Sequence, residues 1–428
     1  FELVDNTGIQ FNNKVADNDT INILNYRNFY NGGGVAVGDL NNDGLPDVFF
    51  TANQGANKLY LNKGGFKFED ISAKAGFVDK KQFSTGVVFV DINNDGWLDI
   101  YVSNAGSMDN EQVRANQLFI NNHNLTFTEK AAEYGLADTG YTTQATFFDY
   151  DMDGDLDCFL INNSPIPVNS LGYPKQRDLF AKNWAVPENM KGGGDHLYQN
   201  NNGHFEEVTQ KAGIHGTLMS FGLGISIGDI NGDHYPDIYV SNDFFERDYL
   251  YINQKNGTFK DQLDDMLSHT SFASMGADIG DINNDGYPDI FTTDMLPADD
   301  YRLKTTLSFD DIDQYRLKER NDFHHQFLQN TLQLNTKQNK FIDISNYSGV
   351  NASEWSWGAL MFDADNDGNN DIYICNGIYR DLTNQDFLDF DANEIKEKMI
   401  QTGRKNLTDL VSKIPSIAVP NKMFRNNG

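Results

Sequence analysis

The chain has 428 residues, 62 acidic side chains against 33 basic ones, and a formal net charge of −29. Its hydrophobic share of 39% and aromatic share of 13% suit a large packed core and exceed what a disordered chain carries. The charge excludes a phosphate-tracking nucleic-acid binder, which needs a basic patch, and no apolar run approaches the ~18 residues of a membrane-spanning helix.

The chain opens on Phe1-Glu2-Leu3, neither a start methionine nor a signal peptide, and reads as a processed or trimmed product. Its first segment, FELVDNTGI, matches the later FEDISAKAGF and FEEVTQKAGI. From residue 35 onward a unit takes shape. Strand A (GVAVGD) is rich in small residues, and a nine-residue loop (DLNNDGLPD, from Asp39) follows it. Strands B (DVFFTAN), C (NKLYLNK) and D (FKFEDIS) come next. All are short, β-branched or aromatic runs bounded by Asn, Gly and Asp turns. The loop returns from Asp91, Asp149, Asp229, Asp281 and Asp363. That is a unit of about fifty residues, with two gaps about thirty longer, the signature of repeated blades or coils.

Four-stranded units recurring six times predict an all-β propeller of six or seven blades, with residues 1–428 as a single domain or a fragment of a longer precursor. The alternative, a stacked solenoid, needs polar capping repeats. The sixth unit stops after strand C at Gly428, so the N-terminal strand is expected to complete it and close the ring; a seventh blade built from residues beyond Gly428 is the other solution. The two cysteines, Cys158 and Cys375, lie in apolar strand-like runs and read as buried hydrophobes.

The loops carry the chemistry. The first offers Asp39, Asn41, Asp43, Leu45 and Asp47, and the second Asp91, Asn93, Asp95, Trp97 and Asp99. The third offers Asp149, Asp151, Asp153, Asp155 and Asp157, and the fourth Asp229, Asn231, Asp233, Tyr235 and Asp237. The fifth offers Asp281, Asn283, Asp285, Tyr287 and Asp289, and the sixth Asp363, Asp365, Asp367, Asn369 and Asp371. Hard oxygens at positions 1, 3, 5 and 9, with a free choice at position 7 where a backbone carbonyl would serve, suit Ca²⁺ at about six sites. Mg²⁺ asks for a rigid octahedron and retained waters, and transition metals ask for His or Cys. Solvated turns without metal are the plain alternative. Six divalent ions would bring the net charge from −29 to about −17, and clustered carboxylates without them would repel. Position 6 is Gly in five loops and His234 in the fourth, where a left-handed backbone is expected to distort or weaken the site.

The pattern DxNxDGxxD between two strands, with Phe221-Gly222, Gly276-Ala277 and Gly358-Ala359 just upstream, resembles the FG-GAP/VCBS repeats of integrin-α-type propellers. Together with NKLYLN and FEDIS it is similar to the bacterial VCBS-repeat and cartilage-acidic-protein-like group. The resemblance covers nearly the whole chain. It implies a seven-bladed, secreted or lipid-anchored surface protein, outer-membrane-anchored in a Gram-negative bacterium, with a further C-terminal ASPIC/UnbV-type region.

Strand order places the A–B and C–D turns at one end and the B–C connections at the other. The long insertions, 162–194, 292–325 and 376–421, all fall between B and C, and the last ends in an expected amphipathic helix over 393–414. Long loops of this kind usually carry function. The face opposite the calcium loops is therefore the expected partner face, as the resemblance to integrin-type propellers also suggests. Its candidate contacts are Tyr173, Arg177, Trp184, Tyr301, Arg302, Tyr315, Arg316, Arg320, His324, His325, Trp355, Trp357, Tyr379 and Arg380, Arg and aromatic types being the usual interface anchors. The plain alternative is that they pack the insertions. His324-His325 reads as a polar pair starting strand C. The expected function is a non-catalytic, calcium-stabilised surface module that binds protein or glycan, or a subunit of an outer-membrane complex. The alternative is a propeller-fold hydrolase or lyase acting on carbohydrate, although no HExxH or P-loop motif occurs.

Overall fold

The computed structural model describes residues 4–18, 21–78, 82–107, 109–166, 176–306, 312–392 and 407–428. The short strand-forming runs build six antiparallel meanders in the order A-B-C-D. In the first sheet the strands are Val35–Gly38, Asp47–Phe50, Lys58–Asn62 and Phe68–Asp70. Sheet two is built of Phe83–Val90, Asp99–Ala105, Gln117–Asn121 and Phe127–Glu129, and sheet three of Thr142–Phe148, Asp157–Asn162, His196–Asn200 and Phe205–Glu207. Sheet four comprises Gly222–Gly228, Asp237–Asn242, Tyr249–Asn253 and Phe259–Asp261, and sheet five Gly276–Gly280, Asp289–Thr293, Thr331–Asn335 and Phe341–Asp343. Sheet six holds Ser356–Phe362, Asp371–Asn376 and Lys422–Phe424. The fold class is the expected all-β propeller, with six blades.

The chain divides into two compact units. One is Phe1–Ala16, Gly32–Pro165 and Leu179–Leu218, with sheets one to three; the other is Asp17–Asn31, Ile166–Asp178 and Met219–Gly428, with sheets four to six. Inside each unit the A strands crowd together, which accounts for their small residues. A Cβ on Gly86 would stand 2.7 Å from the Thr143 carbonyl oxygen, and one on Gly276 would stand 2.3 Å from that of Trp357. Outward from the A strands, apolar faces of neighbouring sheets close on one another. In the first unit Phe49, Leu61 and Phe77 pack with Ile100, Val102 and Phe119. In the second, Tyr239, Leu250 and Met266 pack with Ile290 and Phe341. Each such side chain contributes about 1.5–3 kcal/mol by leaving water.

The residues expected to complete sheet six, 1–3, lie outside the described residues, and sheet six has three strands among those described. The segment that follows them runs along sheet one: the Phe68 N–H donates to the Thr7 carbonyl at 2.7 Å, and the Phe11 ring stacks on Phe50 at 4.7 Å. The segments after strand D form one helical turn each (Ser72–Ala75, Ala131–Tyr134, Thr209–Ala212, Ser345–Ser348), ended by left-handed Gly76, Gly135, Gly213 and Gly349. His324-His325 does not start strand C. The pair follows a bend with Asp322 and His324 at φ +64° and +61°, and precedes a two-residue strand, Gln326–Phe327, that pairs in parallel with Thr270–Ser271. Of the expected helix over 393–414, Leu407–Ser412 is helical and 393–406 lies outside the described residues.

Candidate metal sites

All six A–B loops fold alike. The position-1 carboxylate accepts the N–H of position 5 on one oxygen and of position 6 on the other. In loop one these bonds run from Asp43 and Gly44 to Asp39 at 3.1 and 2.7 Å, and in loop five from Asp285 and Gly286 to Asp281 at 3.0 and 2.8 Å. Position 5 then accepts the N–H of position 7, as Asp43 does from Leu45 at 2.9 Å. This winding needs two left-handed residues. Position 6 supplies one, and position 4 the other: Asn42, Asn94, Met152, Gly232, Asn284 and Asn366. The fourth loop keeps the geometry despite His234, which takes φ +71° and donates its N–H to Asp229 at 2.8 Å. An exposed imidazole tolerates that φ, and its Nδ1 lies 3.8 Å from the Asp229 carboxylate.

Position 9 fastens each loop to strand C. Asp47 accepts the N–H groups of Leu40 (3.0 Å) and Asn62 (2.8 Å), and Asp289 those of Ile282 (2.9 Å) and Asn335 (2.8 Å). Asp99, Asp157, Asp237 and Asp371 repeat the arrangement. Burial pushes up the carboxyl of Asp47, those of Asp99 and Asp289 to about 6, and those of Asp157 and Asp237 to about 7.

The partner in strand C is always its last asparagine, a role sequence reasoning missed. Asn62, Asn121, Asn200, Asn253, Asn335 and Asn426 each donate the side-chain amide to the carbonyl of loop position 8, and each accepts an N–H of the C–D turn. Its recurrence at one place in six units was the available signal. Neighbouring loops of a unit are also linked, by Asn42 donating to the Gly96 carbonyl and Asn284 to that of Gly368.

The loops differ at position 3. Asn41, Asn93, Asn231 and Asn283 each donate to the position-5 carboxylate. Asp151 and Asp365 cannot. In those two loops, Asp149, Asp151 and Asp153, and Asp363, Asp365 and Asp367, bring one oxygen apiece within 4.8 Å of one another. In loop three the buried Oδ1 atoms of Asp151 and Asp155 have no hydrogen-bond partner. Burial and the neighbouring carboxylates raise both carboxyls above the usual range. An all-oxygen donor set with orphaned buried oxygens fits a hard cation, as Ca²⁺ is.

At the other end of the sheets the expected contacts divide. Trp184 is buried and donates its indole N–H to the Leu179 carbonyl. Arg177 is buried against Glu246 at 2.6 Å. Arg302 grips Glu354 through two 3.0 Å bonds and Asp381 through one of 2.6 Å. Trp355 and Trp357 stack with centroids 6.3 Å apart, and Arg380 donates to the Ile414 carbonyl. These six pack the insertions. Tyr301, Arg316, Arg320 and Tyr379 are exposed. Tyr315 is half-buried, its hydroxyl 2.7 Å from His325 Nδ1, and His324 Nδ1 lies 3.2 Å from Asp264. Tyr173 lies outside the described residues.

A β-propeller whose A–B hairpins carry repeated acidic loops is the class that this fold and these loops define. The FG-GAP-like repeat family matches residues 39–102, 184–240 and 229–292. The chain is similar to cartilage acidic protein 1 of Xenopus tropicalis, 41% identical over 78 residues that are 18% of this chain and 12% of the relative. It is similar to integrin alpha-3 of Mus musculus, 30% identical over 135 residues, 28% of this chain and 12% of the relative. These matched stretches span about an eighth of either relative. Among solved structures it is similar to that of an Agrocybe aegerita lectin recognising non-reducing terminal N-acetylglucosamine. That match has a TM-score of 0.42 and 15% identity, and covers 82% of this chain and 77% of that one. Among the described residues no helix is long and apolar enough to cross a membrane.

Proposed function

We propose that this chain is a calcium-stabilised, non-catalytic binding module of the extracellular space or cell surface, recognising protein or glycan through the insertion end of its sheets. The observation that carries the reading is the repeated A–B loop, with its convergent oxygens and the orphaned buried oxygens of loop three. Ca²⁺ would be held by the side chains of positions 1, 3, 5 and 9 and the carbonyl of position 7. Its contribution is charge neutralisation and cross-linking of the hairpin, which is folding free energy. Loops of extracellular modules bind at roughly 10⁻⁴–10⁻³ M, and a compartment rich in calcium is therefore the natural setting. With the loops occupied by that task, the exposed Tyr301, Arg316 and Tyr379 are left for a partner, possessing the side-chain types that dominate interface energetics. Outer-membrane anchoring and membership of an outer-membrane complex belong to the same reading.

The test joins both halves. Candidate glycans and envelope proteins are screened against the full chain in ~2 mM calcium and in chelator. The reading expects a ligand whose affinity falls at least tenfold in Tyr301→Ala/Tyr379→Ala, while calcium-dependent melting stays at its original value. Binding that survives that double variant and is lost on altering the A–B loops would put the partner on the wrong end and overturn the assignment.

A further inference from the structure

The five C–D turns, and the residues after strand C of sheet six, share one geometry. Two residues beyond the strand-C asparagine the backbone is left-handed, at Gly64, His123, Asn202, Lys255, Lys337 and Gly428. In sheets two, four and five that residue is a base, and its side chain does the same two things each time. It reaches Oδ2 of the position-5 aspartate: His123 to Asp95 at 3.0 Å, Lys255 to Asp233 at 3.3 Å and Lys337 to Asp285 at 3.5 Å. It also lies on the position-7 ring. His123 stacks on Trp97 at 4.7 Å, and the ammonium groups of Lys255 and Lys337 sit 5.2 and 5.1 Å from the ring centroids of Tyr235 and Tyr287. Where position 7 is not aromatic (Leu45, Asp155, Asn369), the turn residue is Gly64, Asn202 or Gly428.

A left-handed backbone is uncommon for Lys and His and costs about 1 kcal/mol. Three bases placed there, each on a ring and each on the same carboxylate oxygen, form a recurring device. Loop six is met by a base from a different position, the exposed Arg425 just after strand C, at 2.8 Å from Asp365 and 3.1 Å from Asp367. Loop three is the opposite case. All five of its ligand positions are aspartates, the side chain that reaches Asp151 is the neutral Gln199 amide (2.7 Å), and the buried Oδ1 atoms of Asp151 and Asp155 have no hydrogen-bond partner. Among the described residues no basic side chain pairs with it.

We propose that the tethered lysines of loops four and five are built-in counterions that replace part of a divalent ion's charge and compete with it, so that loop three is the tightest calcium site of the chain and the one whose fold depends most on the ion. The inference rests on the reading that the loops bind calcium. The position-5 oxygen that an ion needs is already engaged in the three latched loops. In loop three no base among the described residues reaches it, and four further carboxylates attract the ion.

The experiment is a calcium titration of the chelator-stripped full chain, read loop by loop through hydrogen exchange of peptides covering 149–157, 229–237 and 281–289, with calorimetry for the overall affinities. Protection of 149–157 is expected at the lowest calcium. Lys255→Met and Lys337→Met, which keep the stem and remove the charge, should lower the calcium midpoints of loops four and five about three- to tenfold, the effect of deleting one half-exposed ion pair next to a divalent ion. Asn202→Lys, which installs the tethered base on loop three at a position already left-handed, should raise its midpoint by a similar factor without loss of fold. Simultaneous protection of all loops, or unchanged midpoints in the Lys→Met variants, overturns the hierarchy. No calcium response in any loop up to about 10 mM instead overturns the calcium reading itself.

Discussion

Met152 occupies position 4 of loop three at φ +62°, with its side chain about half exposed. The other five loops place Asn or Gly there, residues that adopt a left-handed backbone at little cost. Nothing covers Met152 strongly enough to repay the strain. Met152→Asn should therefore stabilise the chain by roughly 0.5–1 kcal/mol, visible as a rise of about 1–4 °C in thermal melting; an unchanged or lower Tm would mean that the thioether makes a contact worth the strain. The requirement at position 4 was not legible in advance. Asn in a turn is expected whatever its φ, and the one revealing exception, Met152, is conspicuous only once the backbone is seen.

A second residue-scale prediction concerns a buried pair away from the loops. Asp138 accepts hydrogen bonds from Tyr198 (2.8 Å) and the Gly140 N–H (2.7 Å) and stands 2.7 Å from His196 Nδ1. Burial alone would raise the Asp138 carboxyl, but the charge and hydrogen bond of His196 prevail and hold it at about 2; in turn, against desolvation, the Asp138 carboxylate keeps the His196 imidazolium above its usual range. The depressed Asp138 contributes stability that is present above 3.8 and is lost as the pH falls toward 2. The raised His196 contributes stability that is full below 6.5 and is lost as the pH rises through its folded value. The pair therefore supports the fold most between about pH 4 and 6.5. His196→Gln should cost ~1–3 kcal/mol in that window and progressively less above it, measured as the difference between wild-type and variant melting curves across pH. A difference that does not change with pH would show that the imidazole acts as a neutral hydrogen-bond donor only.

At the scale of elements, one asparagine per sheet joins three segments. Asn335 donates its N–H to Asp289, its amide to the carbonyls of Pro288 and Ile230, and accepts the Lys337 N–H. Asn335→Ala should strand two carbonyls and the turn N–H and cost roughly 2–4 kcal/mol. Hydrogen exchange should rise in 281–289 and in the C–D turn ahead of the rest of sheet five; uniform exchange would mean that the turn stands without its anchor. Strands A to D were legible because each is a short β-branched or aromatic run between turn formers, repeated six times. The anchoring role was not, since an Asn at a strand end looks like any turn residue. The insertions mislead in the same way: Arg177, Arg302 and Trp184 have the composition of a binding face, yet the ion pairs Arg177–Glu246 and Arg302–Asp381 and the burial of Trp184 spend them inside their own units.

At the scale of the whole molecule the controlling quantity is charge. A net charge of −29 destabilises a compact state by self-repulsion, and much of it is gathered on the A–B loops, where backbone N–H groups and a few bases offset only part of it. An ion that binds the folded loops and not the unfolded chain stabilises by RT ln(1 + [L]/Kd) per site. With Kd in the range ~10⁻⁴–10⁻³ M, about 5 mM calcium contributes roughly 1–2 kcal/mol per loop. Several loops acting together would make a large part of the ~5–15 kcal/mol that ordinarily separates folded from unfolded chains. The melting temperature should then climb by about 10 °C or more between chelator and 5 mM calcium, and go on rising with the logarithm of calcium concentration instead of reaching a plateau. Magnesium at equal concentration should do less, because it keeps its waters and demands an octahedron that these loops do not preform. Sodium chloride at ~0.15 M screens repulsion between exposed carboxylates over about 8 Å and should recover only a fraction of the calcium effect. A scan in which salt alone restores the full Tm would identify bulk repulsion, and not coordination at the hairpin tips, as what the ions relieve.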